Sequence, residues 1–314
     1  MTSINWQRLG HISIPARVHP WGVSHASVPI MDPIGGDLFR AYFSARDADG
    51  RSWTTSCVVD LTDRPRLVET PSVAHLAPGS PGTFDDRGAM ACWLDTHSSP
   101  RRLYYIGWNT GTTVPFRNAI GVAYEQRDGT WEKAGEGPLL DRSAVDPYFL
   151  ASCCVLPDGD SWVMWYLSCT AWEPVNGALQ HRYLIKRATS LDGIRWERDG
   201  HVAIAPANNN EYAISRPSVI RDGNLWHMWY SYRGERYRIG YAQSPDGITW
   251  TRHDDVGGLA PLGTGWESEM VEYGHAFMHR GALYMAYNGN RYGADGFGIV
   301  RAALPDAITS AALD

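Results

Sequence analysis

At 314 residues with 44% hydrophobic side chains, the chain carries enough apolar material for a full core, which excludes a disordered protein. A formal net charge of −6 argues against a nucleic-acid groove or an anionic membrane surface, since both need a basic face. No apolar run approaches the ~18 residues of a membrane span, and the opening MTSINWQRLG lacks the regions of a secretory leader, so a soluble, cytoplasmic protein is expected.

The abundant residues are 14 Trp, 16 Tyr and 32 Gly. Aromatics favour strands and glycines mark turns, so the composition leans to β. The five cysteines have no metal-type spacing, and Cys153 and Cys154 point to opposite faces of one predicted strand. Reduced, buried thiols are expected.

In chain order, the first element is INWQRLGHISI at residues 4–14, which returns as IRWERDGHVAI at residues 194–204. Such self-similarity sets the architecture. Four units follow one pattern. An apolar strand opens each: SHASVPI, RGAMACWL, FLASCCVL, SRPSVI and, in a last unit, YGHAFM. An aromatic strand comes next: LFRAYFS, RLYYIGW, SWVMWYL, LWHMWYS and ALYMAYN. A small-residue strand follows, then a turn and a Trp-bearing fourth strand. The Asp-Gly pairs at Asp192–Gly193 and Asp246–Gly247 are hairpin signals, with Trp196 and Trp250 at the same offset. AYEQRDGTWEKAGEG and, more loosely, FSARDADGRSW echo that turn.

Four-stranded units at a period of roughly 60 residues, with no helical periodicity between them, predict propeller blades. The first strands begin near His25, Asp86, Asp146, Ser215 and Tyr273, which counts five. The last unit lacks its outer strand, and residues 1–14 would supply it. The expectation is an all-β, five-bladed propeller forming one domain over residues 1–314, closed without an open edge.

Chemistry is expected where the innermost strands begin, at one mouth of the central funnel. Ionisable or aromatic residues stand there in every blade: Trp21 and His25; Asp85, Asp86 and Arg87; Asp146 and Tyr148; Glu211, Tyr212 and Arg216; Glu269, Glu272 and His275. Each has a plainer reading. Asp85 and Asp86 suit a turn cap, Asp146 precedes Pro147 in a turn-like pair, and Arg216 suits a partner for a carboxylate. A lone histidine in an apolar strand is often a hydrogen-bonded core residue. The coincidence across five blades favours a site, because a ring of buried charge is costly without a ligand. His181, His227 and His253 read as structural or solvated. Tyr230 ends a second strand near the mouth, and Arg233 reaches inward from there.

With the S-x-D-G-x-x-W turns at residues 190–196 and 244–250, this arrangement resembles the five-bladed glycosidase-like propellers: arabinanases, invertase-like enzymes and mannoside phosphorylases. The resemblance implies funnel carboxylates as nucleophile or base, acid and pKa tuner, roles that fall to Asp86, Asp146 and Glu211 or Glu272. The chain departs from that pattern at His25, where such glycosidases carry an Asp. Arg216 suits a phosphate or carboxylate better than an oxocarbenium ion.

The chain also resembles the flavin-independent, metal-dependent nucleotide-sugar pyranose–furanose mutases on this fold. That resemblance implies a divalent ion, manganese or magnesium, on His25 and His275. It implies Arg216 and Arg87 on the diphosphate, and Trp21, Tyr148 and Tyr230 against the substrate. No G-x-G-x-x-G fingerprint occurs, so no flavin is expected. The expected activity is a nucleotide-sugar mutase. A glycoside hydrolase or phosphorylase with paired carboxylates is the alternative, and a non-catalytic sugar-binding propeller comes third. Every reading takes a sugar or nucleotide sugar, and none takes nucleic acid or membrane.

Overall fold

The computed structural model describes residues 3–15 and 19–304. Its strands fall into five antiparallel meanders. The first joins β2 (Ser24–Gly35), β3 (Leu38–Arg46) and β4 (Ser52–Asp60), with short β5 (Arg66–Glu69) and β6 (Ala74–Leu76) on the outer edge of β4. The second is β7 (Gly88–Asp95), β8 (Arg102–Thr110), β9 (Phe116–Glu125) and β10 (Trp131–Lys133). The third is β11 (Leu150–Asp158), β12 (Ser161–Val175), β13 (Ala178–Ser190) and β14 (Val202–Ile204). The fourth is β15 (Ala213–Asp222), β16 (Leu225–Arg233), β17 (Tyr237–Ser244) and β18 (Thr251–Arg252). The fifth is β19 (Glu272–His279), β20 (Ala282–Asn288) and β21 (Phe297–Ala302).

The fifth blade is completed from the other end of the chain. β1 (Gln7–Ile12) pairs antiparallel with β21, from Gln7 opposite Arg301 to Ile12 opposite Phe297. The outer strand expected in the first fourteen residues is therefore in place. The innermost strands close the ring: β2 packs on β7, β7 on β11, β11 on β15, β15 on β19, and β19 on β2. This is the five-bladed propeller the repeat predicts.

The Asp-Gly turns cement neighbouring blades. Asp192 Oδ1 accepts the amides of Ile194 and Arg195, and Ser190 Oγ accepts that of Gly193. Ser244 and Asp246 repeat the arrangement around Gly247. Gly193 and Gly247 hold φ of 71° and 68°, which glycine adopts without strain. Their carbonyls accept from the preceding blade, Gly193 from the Tyr104 hydroxyl at 2.9 Å and Gly247 from Trp165 Nε1 at 3.2 Å. Trp250 meets Trp165 edge-on at 5.7 Å, filling the gap between sheets as its position predicts. The echo in FSARDADGRSW proves different. Asp47 organises the tight β3–β4 hairpin, so Trp53 lies on a third strand rather than a fourth.

All five cysteines are free and buried. Among the described residues, no helix is long and apolar enough to cross a membrane.

Candidate functional site

The innermost strands are not regular where they begin. Pairing registers slip between Ser27 and Ile30, Leu150 and Cys153, Ser215 and Ser218, and Glu272 and His275. Such bulges re-aim a side chain. At three of them the chain takes a left-handed conformation without glycine: Val28 (φ 57°), Arg216 (φ 53°) and Tyr273 (φ 56°). Each freed amide donates to a side chain on the neighbouring blade. Val28 N–H reaches Asn288 Oδ1 at 2.8 Å, Arg216 N–H reaches Ser152 Oγ at 3.0 Å, and Tyr273 N–H reaches Ser231 Oγ at 2.8 Å. Strain persists only where the surroundings over-determine it, and it gathers at functional sites.

These bulges surround a central cavity of about 350 Å³. Its aromatic wall includes Trp108, Phe116, Phe149, Tyr183, Tyr237 and Tyr273. Ser27, Ser52, Ser152 and Ser215 add hydroxyls. Arg46, Arg216 and Arg233 supply positive charge, and no carboxylate lines it among the described residues. Arg216 is the floor. Its guanidinium leaves the fourth blade, donates through Nη1 to the Cys92 carbonyl of the second, and through Nη2 to the Pro29 carbonyl of the first at 3.2 Å. It is 1% exposed and its Nε has no partner.

One expected acid stands against the wall. Glu272 is fully buried, and neither Oε finds a hydrogen-bond partner of good geometry. Burial drives its carboxyl well above the ordinary carboxylate range, against the Arg233 guanidinium and the Tyr273 phenol, which draw it down. The Tyr183 and Tyr237 hydroxyls, 2.5 Å apart, lie in the same neighbourhood, and Glu272 helps raise both phenols.

The other expected acids lie elsewhere. Asp146 accepts from the Tyr166 hydroxyl at 3.1 Å and Ser168 Oγ at 2.7 Å, and pairs with Lys186 at 3.1 Å and Arg198 at 3.0 Å. Glu211 is gripped by Arg252 at 2.8 Å, and Arg252 also holds Asp254, which takes the Tyr230 hydroxyl at 2.5 Å. Asp85 pairs with Lys133 at 2.6 Å beside the Tyr105 hydroxyl at 3.3 Å. Glu267 repeats this with Arg8 at 2.9 Å and the Tyr287 hydroxyl at 3.0 Å. One device thus recurs: in four blades a loop acid before the first strand meets a basic residue near the outer strand, and in three of them a second-strand tyrosine bonds the same acid, whereas in the fourth blade Tyr230 bonds Asp254. Asp146 and Glu211, expected to be catalytic, pair with cations near the outer strands and do not line the cavity. Asp86 caps its loop by accepting the Gly82 amide at 2.9 Å and does not line the cavity.

The binding residues divide in the same way. Arg216 lines the cavity, whereas Arg87 donates to the Asp49 carbonyl at 2.8 Å and Tyr230 serves Asp254. Tyr148 is 39% exposed and outside the lining. Trp21 stacks on His19 at 4.7 Å over a separate recess of about 70 Å³ that also takes His25.

The expected metal pair is not assembled. His25 Nδ1 lies 2.8 Å from Ser24 Oγ. His275 Nδ1 accepts the Met31 amide at 3.1 Å, which directs that nitrogen to the backbone. Burial lowers both imidazoles, His25 to about 4 with help from Arg46 and Arg291, and His275 well below its usual range with help from Arg216. Among the described residues, no three His, Cys, Asp or Glu side chains converge on a metal position. The donor set does not fit a resident ion.

Several lining residues escaped the sequence reading. Arg46 ends a second strand as Arg233 does, Tyr237 opens a third strand and Tyr183 lies within one. His181, expected to be structural or solvated, lines the cavity stacked on Tyr183 at 4.5 Å. The usable signal was the aromatic or basic residue at the mouth end of second and third strands.

No family model matches the chain. Two Mycobacterium tuberculosis proteins do, "Uncharacterized protein MT1551" of strain CDC 1551 / Oshkosh and "Uncharacterized protein Rv1502" of strain ATCC 25618 / H37Rv. Each is 37% identical over 294 residues, 94% of this chain and 98% of the relative. Among solved structures, one described as "Glycoside hydrolase" superposes with a TM-score of 0.70 at 18% identity, over 98% of this chain and 94% of its own. A thermostable family-43 glycoside hydrolase gives 0.64 at 16% over 95% and 94%. A structure from the GH130 family of mannoside phosphorylases gives 0.67 at 15% over 98% and 96%. At these identities the likeness is one of fold.

Proposed function

The chain belongs to the family of those two M. tuberculosis proteins, and we propose that its members are carbohydrate-active enzymes that work on the anomeric centre of a sugar held in the central cavity. The observation that carries this reading is Glu272. A buried carboxyl raised by desolvation holds its proton more tightly than a free one, which suits a general acid. The tyrosine wall in front of it suits a pyranose or furanose, offering ring faces for C–H contacts and hydroxyls for hydrogen bonds. In this reading Tyr273 passes the proton between Glu272 and the sugar, and Arg233 steadies the carboxylate that forms.

The fold neighbours support a glycoside hydrolase or phosphorylase over the mutase expected from sequence. Within that pair the cavity favours transfer over simple hydrolysis. Hydrolysis with paired acids needs a second carboxylate about 5–9 Å from the first, and among the described residues no carboxylate lines the cavity. The mutase stands as a second reading, favoured by the arginines that face the cavity in place of that second acid, and it includes no step through a resident metal.

The test is a turnover screen of the full chain with aryl glycosides, oligosaccharides with and without phosphate, and nucleotide sugars, read by product analysis. Glu272→Gln is expected to lose about 10²–10⁴-fold in kcat, the usual worth of a general acid. Full activity in that variant, or no turnover or binding of any sugar by the wild type, would overturn the reading.

A further inference from the structure

The three cavity arginines differ from the arginines that brace the outer strands. Arg8, Arg198 and Arg252 each meet a carboxylate. Among the described residues, Arg46, Arg216 and Arg233 have no ion-pair partner, although all three line one cavity. Arg216 is buried with Nε unsatisfied, and Nε of Arg233 is buried and unsatisfied too. The remaining hydrogen bond of Arg233 is to the Tyr292 hydroxyl at 3.1 Å, with its guanidinium over the Tyr212 and Tyr237 rings. Ser215 Oγ, also in the lining, is buried without a partner. Among the described residues, Glu272 makes no hydrogen bond to these arginines, and burial works against its charged form.

A buried cation without a counter-charge, as at Arg216, is costly, and with half-buried Arg46 and Arg233 beside it the site is complete only with an anion. A single carboxylate brings one charge and one fork of acceptors. A phosphoryl group brings about −1.5 to −2 and three acceptor oxygens, which matches several guanidinium groups and a hydroxyl. We infer that Arg46, Arg216 and Arg233, with Ser215, form a phosphoryl-binding subsite in the central cavity. The inference rests on the carbohydrate reading for what the phosphoryl group does there: it belongs to inorganic phosphate that attacks the sugar, or to the diphosphate of a nucleotide sugar. In phosphorolysis a phosphate oxygen forms the new bond to the anomeric carbon as the glycosidic C–O bond breaks, and the leaving oxygen takes the acid's proton.

Isothermal titration of the full chain at constant ionic strength tests it, with inorganic phosphate, UDP, GDP, glucuronate and a neutral methyl glycoside as separate titrants. Arg233→Gln and Arg46→Gln are the variants; Arg216 also braces the ring, so it is left intact. Saturable binding of phosphate or a nucleoside diphosphate, weakened about tenfold or more in either variant, is expected, on the scale of one lost charge-assisted hydrogen bond. Binding of phosphate alone identifies a co-substrate; binding of a diphosphate alone identifies a nucleotide sugar. No phosphoryl binding, equal affinity in both variants, or glucuronate in place of phosphate would overturn the subsite. A neutral glycoside that still binds in that case leaves the carbohydrate reading standing. Phosphoryl binding with no sugar bound or turned over sinks that reading and keeps the subsite.

Discussion

The hydroxyls of Tyr183 and Tyr237 meet at 2.5 Å, one from the third strand of the third blade and one from the third strand of the fourth. Both rings are buried, at 8% and 2% exposure, so each phenol depends on the other for its hydrogen bond. Replacing one by phenylalanine leaves its partner unsatisfied, which costs about 1–3 kcal/mol. Replacing both removes donor and acceptor together. Tyr237→Phe is therefore expected to lower the unfolding free energy in urea, and the double variant to lose less than the sum of the singles. Additive losses would show that the two hydroxyls do not pair.

Glu272 should be a liability for stability. Its folded pKa lies above the unfolded value, so the native state holds a proton that the unfolded chain releases. Stability then falls as pH rises from the ordinary carboxylate range toward the raised native pKa. Glu272→Gln removes that penalty. The variant is expected to be at least as stable as the wild type at neutral pH, with the difference shrinking as pH falls to about 4.5 and below, near the unfolded carboxyl value. Thermal melts across that range check it. A variant less stable at neutral pH would mean that the carboxyl is ionised and paired in the fold.

Asp146 gives the opposite result. It is fully buried between Lys186 and Arg198, and removing one partner of a buried ion pair costs about 3–5 kcal/mol. Asp146→Asn is expected to cost about that much in a denaturant titration. Turnover per folded molecule should be retained at a temperature where the variant is folded, because the carboxylate clamps an outer strand. A stable variant with abolished turnover would return Asp146 to the site.

The architecture was legible because it repeats. Strand order, blade count and the clasp at residues 4–14 follow from copies of one pattern, and each copy obeys the same turn chemistry. The loop acids repeat because each braces an outer strand, and repetition by itself does not separate a shared brace from a shared site. The correcting signal stood in the same motif. Trp6–Arg8, Trp131–Lys133, Trp196–Arg198 and Trp250–Arg252 all read Trp-x-cation, and each cation meets a loop acid in the structure. A carboxylate whose partner recurs with it is already spent. The cavity residues were harder to find because the bulges at Val28, Arg216 and Tyr273 shift side-chain alternation, and no periodicity argument locates a bulge.

The clasp itself is the last point open to measurement. Without residues 1–14, β21 loses the partner that runs from Arg301 to Phe297, and a bare edge faces solvent. Glu267, 3% exposed, loses Arg8 and keeps only the Tyr287 hydroxyl. The Trp6 indole, which donates to the Gly257 carbonyl at 3.1 Å and meets Trp229 edge-on, leaves a gap between the fourth and fifth blades. Two substitutions separate these effects. Arg8→Ala strands a buried acid but keeps the edge covered, and should cost about 3 kcal/mol with the oligomeric state unchanged. The truncation should cost more and also self-associate, seen by light scattering, because the uncovered edge pairs with another chain. A truncated protein as stable as the full chain would mean that the ring closes without the outer strand of its fifth blade.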